Sequence, residues 1–303
     1  MIGRILDDFA VVNANRDLER GGFGQKRGDK IYLHPIEALY LQLKGRVKFA
    51  ELEEVLNWVQ RKVEGFPEIY FVYEDLRNRG NKLKIDGRFL ISKRVFLPIS
   101  EREKISFEKI IEFLSKFGNL ILSVVDEESE VTYYSVKQPE MEGEQREDIP
   151  KIRGIFLKDR VLTENLEIFR KYFYGSEVGN FVALSLFESL YLFEKGRLEV
   201  EKAEEMLRIA KEGEFEKRYR VYRDLKQRNF VVKTGFKFGS DFRLYRKVES
   251  VEDLPHSEFL VSIVEKEITA RDLAKSVRLA NSVRKKLILA WNENYFLFEW
   301  VRV

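Results

Sequence analysis

This chain is written twice, and that constrains its fold more than any other feature. Phe23-Gly24 with Gly28-Asp29 recurs 151 residues later as Tyr174-Gly175 with Gly179-Asn180. At the same offset Glu37, Tyr40-Leu41 and Lys44-Gly45 recur as Glu188, Tyr191-Leu192 and Lys195-Gly196. A third block, Tyr70-x-Val72-Tyr73-x-Asp75-Leu76-x-x-Arg79, returns at an offset of 149 as Tyr219-x-Val221-Tyr222-x-Asp224-Leu225-x-x-Arg228. Two long copies in register mean a domain duplication, not a solenoid of short stacked units. The join is visible in Gln138–Pro150, which holds Pro139, Gly143 and Pro150 and five acids against Arg146. That is linker composition. It places the boundary near 148 and predicts domains 1–147 and 148–303.

Local signals repeat as well. Ser185-x-x-Glu188 is a capping box opening a helix, and His34-Pro35 occupies the same place in the first copy. The apolar run Phe181–Phe193 reads as one buried helix. Second helices are expected at Glu51–Val63 and Glu201–Lys211, and third helices over the shared Tyr-x-Val-Tyr-x-Asp-Leu block. Strands are expected at Asn81–Lys84, Phe89–Ser92, Phe230–Lys233, Phe236–Phe238 and Phe242–Tyr245. In the second copy Glu258–Val264, Ala270–Arg284, Leu287–Trp291 and Tyr295–Val301 read as strand, helix, strand, strand. The order predicts an α/β (α+β) fold, with a helical/β subdomain and then a small α/β subdomain in each copy. In the second copy these are 148–233 and 234–303.

Composition sets the chemistry. With no Cys, disulfides, thiolate nucleophiles and Cys-ligated metals are excluded. Two His leave only His34 or His256 for imidazole chemistry within one chain. Charged residues at 35% exceed the roughly 25% of ordinary soluble proteins, a heat-adapted profile. No apolar run spans a bilayer and the N-terminus carries no signal peptide, so a cytoplasmic protein without membrane contact is expected.

The copies differ where chemistry would sit. Residues 217–247 carry eleven Lys/Arg against Asp224 and Asp241, and 271–286 carry six against Asp272. The turn Asp126-Glu127-Glu128-Ser129-Glu130 of the first copy is acidic. The net charge of +3 therefore hides a basic second half. Basic residues interleaved with Phe and Tyr fit a polyanion, though a charge run alone equally fits a solvated face. The first copy reads Phe89-Leu90-Ile91-Ser92 where the second reads Phe242-Arg243-Leu244-Tyr245. It has no His after that strand, and has Lys116-Phe117-Gly118-Asn119 near the place of Arg284-Lys285-Lys286. Framework is shared, whereas Tyr, His and Lys occur together once. One copy reads as active and the other as structural.

In these residues the chain resembles the archaeal tRNA-splicing endonucleases, in the subclass with two tandem repeats that works as a homodimer. The resemblance runs through Tyr222-Arg223-Asp224-Leu225, Val231–Gly239, Phe242–Tyr245, His256–Val261, Val277–Ala280 and Ser282–Lys286. It implies a catalytic triad of Tyr245, His256 and Lys285, with precursor tRNA as substrate. The implied reaction cuts the bulge–helix–bulge without metal: the ribose 2′-hydroxyl attacks the neighbouring phosphate and leaves 2′,3′-cyclic phosphate and 5′-OH ends. Such a step needs a proton acceptor, an acid for the leaving oxygen and a cation beside the phosphate. His256 suits the acid and Lys285 the cation. Tyr245 is the base, if neighbouring cations such as Arg243, Arg246 or Lys285 lower its pKa, or else orients the 2′-hydroxyl. The nucleophile belongs to the RNA, so no cofactor is called for.

The resemblance also implies two arginines clamping a bulge base. Arg278 matches the first, Trp300 stands at the second, and Arg302 two residues on shares its face. Arg284 completes the expected RNA contacts. Asp126, Glu127, Glu128 and Glu130 resemble a loop that docks a structural repeat into a basic groove across the dimer. Two other readings are a divalent-metal nuclease built on Asp241, Glu258 and Lys285, and an RNA-binding assembly subunit without activity of its own.

Overall fold

The computed structural model describes residues 1–211 and 213–303. They form two compact units. One takes 1–137 with 266–275 and 298–303, and the other takes 138–265 with 276–297. Each is a mixed α/β body.

In the first unit, short strands at Arg4–Ile5, Ala10–Asn13, Gln25–Arg27 and Lys30–Leu33 form a small sheet. Helix Pro35–Leu43 follows directly, with His34 as its N-cap. The His34 ring Nδ1 accepts from the Ile36 N–H at 3.2 Å, and Glu37 Oε2 accepts from the His34 N–H at 2.9 Å. Burial lowers the His34 pKa to about 4, so this imidazole is a neutral cap. Helices Leu52–Lys62 and Glu68–Asn78 complete the first subdomain. The second subdomain pairs Val95–Ser100 in parallel with Leu120–Val125, across the helix Phe107–Phe117. Parallel neighbours need such a crossover. Leu120–Val125 then turns back antiparallel into Val131–Lys137.

The second unit repeats this plan. Ile152–Leu157, Arg160–Thr163, Ser176–Val178, Phe181–Ser185 and Leu198–Glu201 make its first sheet. Helices Leu186–Glu194, Ala203–Ala210 and Gly213–Gln227 follow. The capping box at Ser185 forms as its spacing predicts, with Ser185 Oγ accepting from the Glu188 N–H. Phe259–Ile263 runs parallel to Lys286–Trp291 after the helix Ala270–Ser282.

Three local readings change. The run Phe181–Phe193 is split at Ser185 into a strand and a helix. Val182 and Leu184 alternate inward there, a strand period that an all-apolar window conceals. Phe236–Phe238 is a 3₁₀ turn between strands, framed by Gly235 and by Gly239 at φ 65°, not a strand. The strand expected at Asn81–Lys84 lies at Lys84–Asp86, where it has Phe89–Ile91 to pair with. The small N-terminal sheets have no counterpart in the sequence reading, because strands of two to six residues carry too little alternation to register.

Candidate active site

Pairing in the second unit gathers three strand ends. Phe242–Tyr245 is antiparallel to Phe259–Ile263, with Leu244 opposite Phe259. Phe259 in turn lies opposite Lys286 in the parallel neighbour. Tyr245, the residues before Phe259 and Lys285 therefore arrive at one end of the sheet. The Lys285 Nζ donates to the Ser257 carbonyl at 2.9 Å, tying the third strand to the residue after His256.

Helix Ala270–Ser282 delivers Lys285 through a tight stop. Lys285 N–H donates to Ala280 O and Arg284 N–H to Asn281 O, both at 2.9 Å, with Arg284 at φ 55°. This is the double hydrogen bond of a Schellman cap. Gly118 at φ 72° closes the corresponding helix of the first unit.

Tyr245 and Lys285 are buried, 5% and 9% exposed, whereas His256 is exposed. Arg243 lies beside Tyr245 and Phe238: its guanidinium is 5.7 Å from the Tyr245 ring centroid and 6.0 Å from that of Phe238. Lys285 Nζ lies 5.4 Å from the same Phe238 ring. Burial, then the Arg243 charge, lower the Lys285 pKa. Burial raises the Tyr245 pKa, and Arg243 offsets that only in part. The net displacement is upward, against the expectation that nearby cations lower it. Neither the Tyr245 hydroxyl nor the His256 ring has a hydrogen bond among the described residues. The Arg243 Nε is buried without a partner, leaving it a free donor beside the phenol.

Residues 215–296 match the tRNA intron endonuclease catalytic C-terminal domain. Residues 1–59 and 152–211 match the N-terminal domain of the same enzymes. The chain belongs to the tRNA intron endonuclease family. The tRNA-splicing endonuclease of Methanosarcina mazei is 35% identical over 89% of this chain and 88% of its own. Those of Methanococcoides burtonii and Natronomonas pharaonis are each 33% identical, over 96% and 100% of this chain and 95% and 98% of theirs. The N-terminal family domain matches twice, as the internal repeat requires.

The other expected family residues are placed as follows. Arg278 and Arg284 are exposed and hold no carboxylate among the described residues. Trp300 is 48% exposed and ends its strand, and the Arg302 guanidinium lies 5.5 Å from its ring centroid. The acidic turn joins Leu120–Val125 to Val131–Lys137. Asp126 Oδ1 accepts from the Glu128 and Glu130 N–H groups at 2.9 Å each. Glu127 pairs with Arg102 and Arg271, whereas Glu128 and Glu130 have no cation among the described residues. A groove of about 1020 Å³ in the second unit is lined by Arg160, Arg218, Lys233 and Phe236. Its three cations already hold Asp159, Asp241 and Glu188.

The carboxylates of the metal-nuclease reading lie apart. Asp241 accepts from the Ile263 N–H at the far end of the strand pair, while Glu258 precedes Phe259 and holds Arg246 and Lys286. Phe238 escaped the sequence reading. Its one signal is an aromatic pair framed by two glycines, Gly235 and Gly239.

Proposed function

We propose that this chain removes introns from precursor tRNA by metal-independent transesterification at bulge–helix–bulge motifs. The observation that carries the reading is the convergence of Tyr245, Lys285 and the residue after His256 at three adjoining strand ends. The 2′-oxygen forms a bond to phosphorus as the bond to the 5′-oxygen breaks, leaving 2′,3′-cyclic phosphate and 5′-OH ends. His256, exposed with a free ring, gives its proton to the departing 5′-oxygen. Lys285, with Arg243 behind it, balances the charge gathering on the phosphate. The raised pKa of Tyr245 favours a protonated phenol that aligns the 2′-hydroxyl, whose proton passes to water.

The repeat 148–303 is the catalytic one and 1–147 the structural one. Two chains form the homodimer, with Glu128 and Glu130 presented to the second copy. A docking carboxylate in the groove would join Arg160, Arg218 or Lys233 as a second acceptor, because each already has a first. Arg278 and Trp300 take the bulge base, the indole stacking in place of a guanidinium and Arg302 restoring a cation beside it.

The test is a bulge–helix–bulge RNA incubated in excess EDTA. Wild type is expected to give cyclic-phosphate ends. His256→Ala is expected to cut about 10²- to 10⁴-fold more slowly. Loss of cleavage in chelator, or full activity in the variant, refutes the mechanism.

A further inference from the structure

Among the described residues, eight non-glycine positions have positive φ, and Phe173 at 58° is the only aromatic one. The others are Ser, Lys, Asn, Arg and Glu. A bulky side chain in this region is disfavoured and persists only where its surroundings impose it. The first copy shows what the backbone alone asks for, because Gly22, at the matching place before Phe23-Gly24, has φ 67°.

The surroundings of Phe173 are specific. Lys233 Nζ donates to the Phe173 carbonyl at 3.2 Å and to the Gly175 carbonyl at 2.9 Å, and lies 4.9 Å from the Phe173 ring centroid. The ring stands edge-on to Tyr245, centroids 5.9 Å apart at 80°. Phe173, Val231, Tyr245 and Val248 form a cluster of their own beside the main core. Where the first copy has Gly22 it has Ser92 in place of Tyr245, so the ring and the phenol occur together or not at all.

We propose that Phe173 is a positioning residue for Tyr245: held in a left-handed conformation by Lys233, its ring fixes the phenol in the orientation that meets the 2′-hydroxyl. The proposal rests on the role given above to Tyr245. It explains why a strained aromatic stands where glycine would fold without cost. Its removal acts on the rate of the bound complex and not on RNA affinity.

The experiment measures single-turnover cleavage of a bulge–helix–bulge RNA by the full-length protein, together with RNA binding and thermal melting. Phe173→Gly adopts the same φ freely but loses a buried ring, so thermal melting sets the temperature at which the variant is assayed folded. Its cleavage is expected to fall about 10- to 100-fold, as for a small misplacement of a reacting group, with RNA affinity within about twofold of wild type. Phe173→Tyr, which keeps the ring, restores the rate. The double variant Phe173→Gly/Tyr245→Phe cleaves within about twofold of Tyr245→Phe alone, because Phe173 acts through that phenol. Wild-type cleavage by Phe173→Gly beside an impaired Tyr245→Phe overturns the positioning role alone. So do parallel losses of rate, affinity and melting temperature, or a double variant far below Tyr245→Phe. Wild-type cleavage by Tyr245→Phe removes the reading beneath it.

Discussion

Lys233→Met tests how the second copy is held together, and the first copy supplies its control. Glu188 is buried, and its carboxylate receives Lys233 Nζ at 2.7 Å, the Gly175 N–H at 2.9 Å and the Ser185 N–H at 2.8 Å. Burial alone would raise its pKa, but the Lys233 charge and these hydrogen bonds outweigh burial and lower it from 4.5. Replacing Lys233 leaves a buried carboxylate without its counter-charge and strips the Phe173 and Gly175 carbonyls of a donor. Breaking one side of a buried pair costs about 3–5 kcal/mol. At about 2–4 °C per kcal/mol, the melting temperature should fall by roughly 6–20 °C. Lys84 is the matching residue of the first copy, exposed and without an ion pair among the described residues, so Lys84→Met should change stability by no more than about 0.5 kcal/mol.

The pH dependence gives a second reading of the same pair. Because the folded Glu188 pKa is depressed, the stability it contributes is present above the unfolded value and is lost as pH falls through the folded one. In Lys233→Met the carboxyl resembles Glu37, which lacks a paired lysine and whose pKa is raised, by burial first. The variant then takes up a proton at higher pH and sheds its buried charge, so its deficit narrows as pH falls from 7 toward 5. Thermal melts of both variants across that range decide the matter. Equal effects of Lys233→Met and Lys84→Met, or a deficit independent of pH, would refute the argument.

Two further outcomes are expected. In a His256→Ala background that binds without cutting, Trp300→Ala should weaken bulge–helix–bulge RNA binding by about 5- to 150-fold, the loss of one stacked base. Arg302→Ala should weaken it by about two- to fivefold through its cation over the indole; filter binding that finds Trp300→Ala unchanged rejects the clamp. Reversing Glu128 and Glu130 to Lys should weaken self-association at least about tenfold in sedimentation without lowering the melting temperature, since neither holds a cation among the described residues. Unchanged sedimentation would remove the docking role from the turn.

The framework was legible because duplication repeats it: the capping glutamates Glu37 and Glu188 and the shared Tyr-Val-Tyr-Asp-Leu helices sit where their spacing places them. The three proposed site residues stand out in the sequence because they lack counterparts in the first copy. Their proximity could not, since it depends on the parallel register of Phe259 with Lys286, which joins segments separated by a whole helix. The direction of the Tyr245 pKa was hidden for a related reason. Sequence shows the cations near a tyrosine but not how deeply its ring is buried, and burial wins here.

Where the copies part is therefore more informative than where they agree. Whereas Gly24, Gly28 and Gly45 of the first unit recur as Gly175, Gly179 and Gly196, two other left-handed glycines, Gly22 and Gly118, give way to a large residue in the second, Phe173 and Arg284. One touches Tyr245 and the other immediately precedes Lys285. Glycine at these positions is what a framework alone would keep, because it adopts positive φ without strain. A side chain there costs stability, offset in the second unit by contacts such as Lys233 on the Phe173 carbonyl. A large side chain beside Tyr245 and another next to Lys285, each where the first copy keeps glycine, is the pattern expected if the fold is repeated once for assembly and once for chemistry, as proposed above.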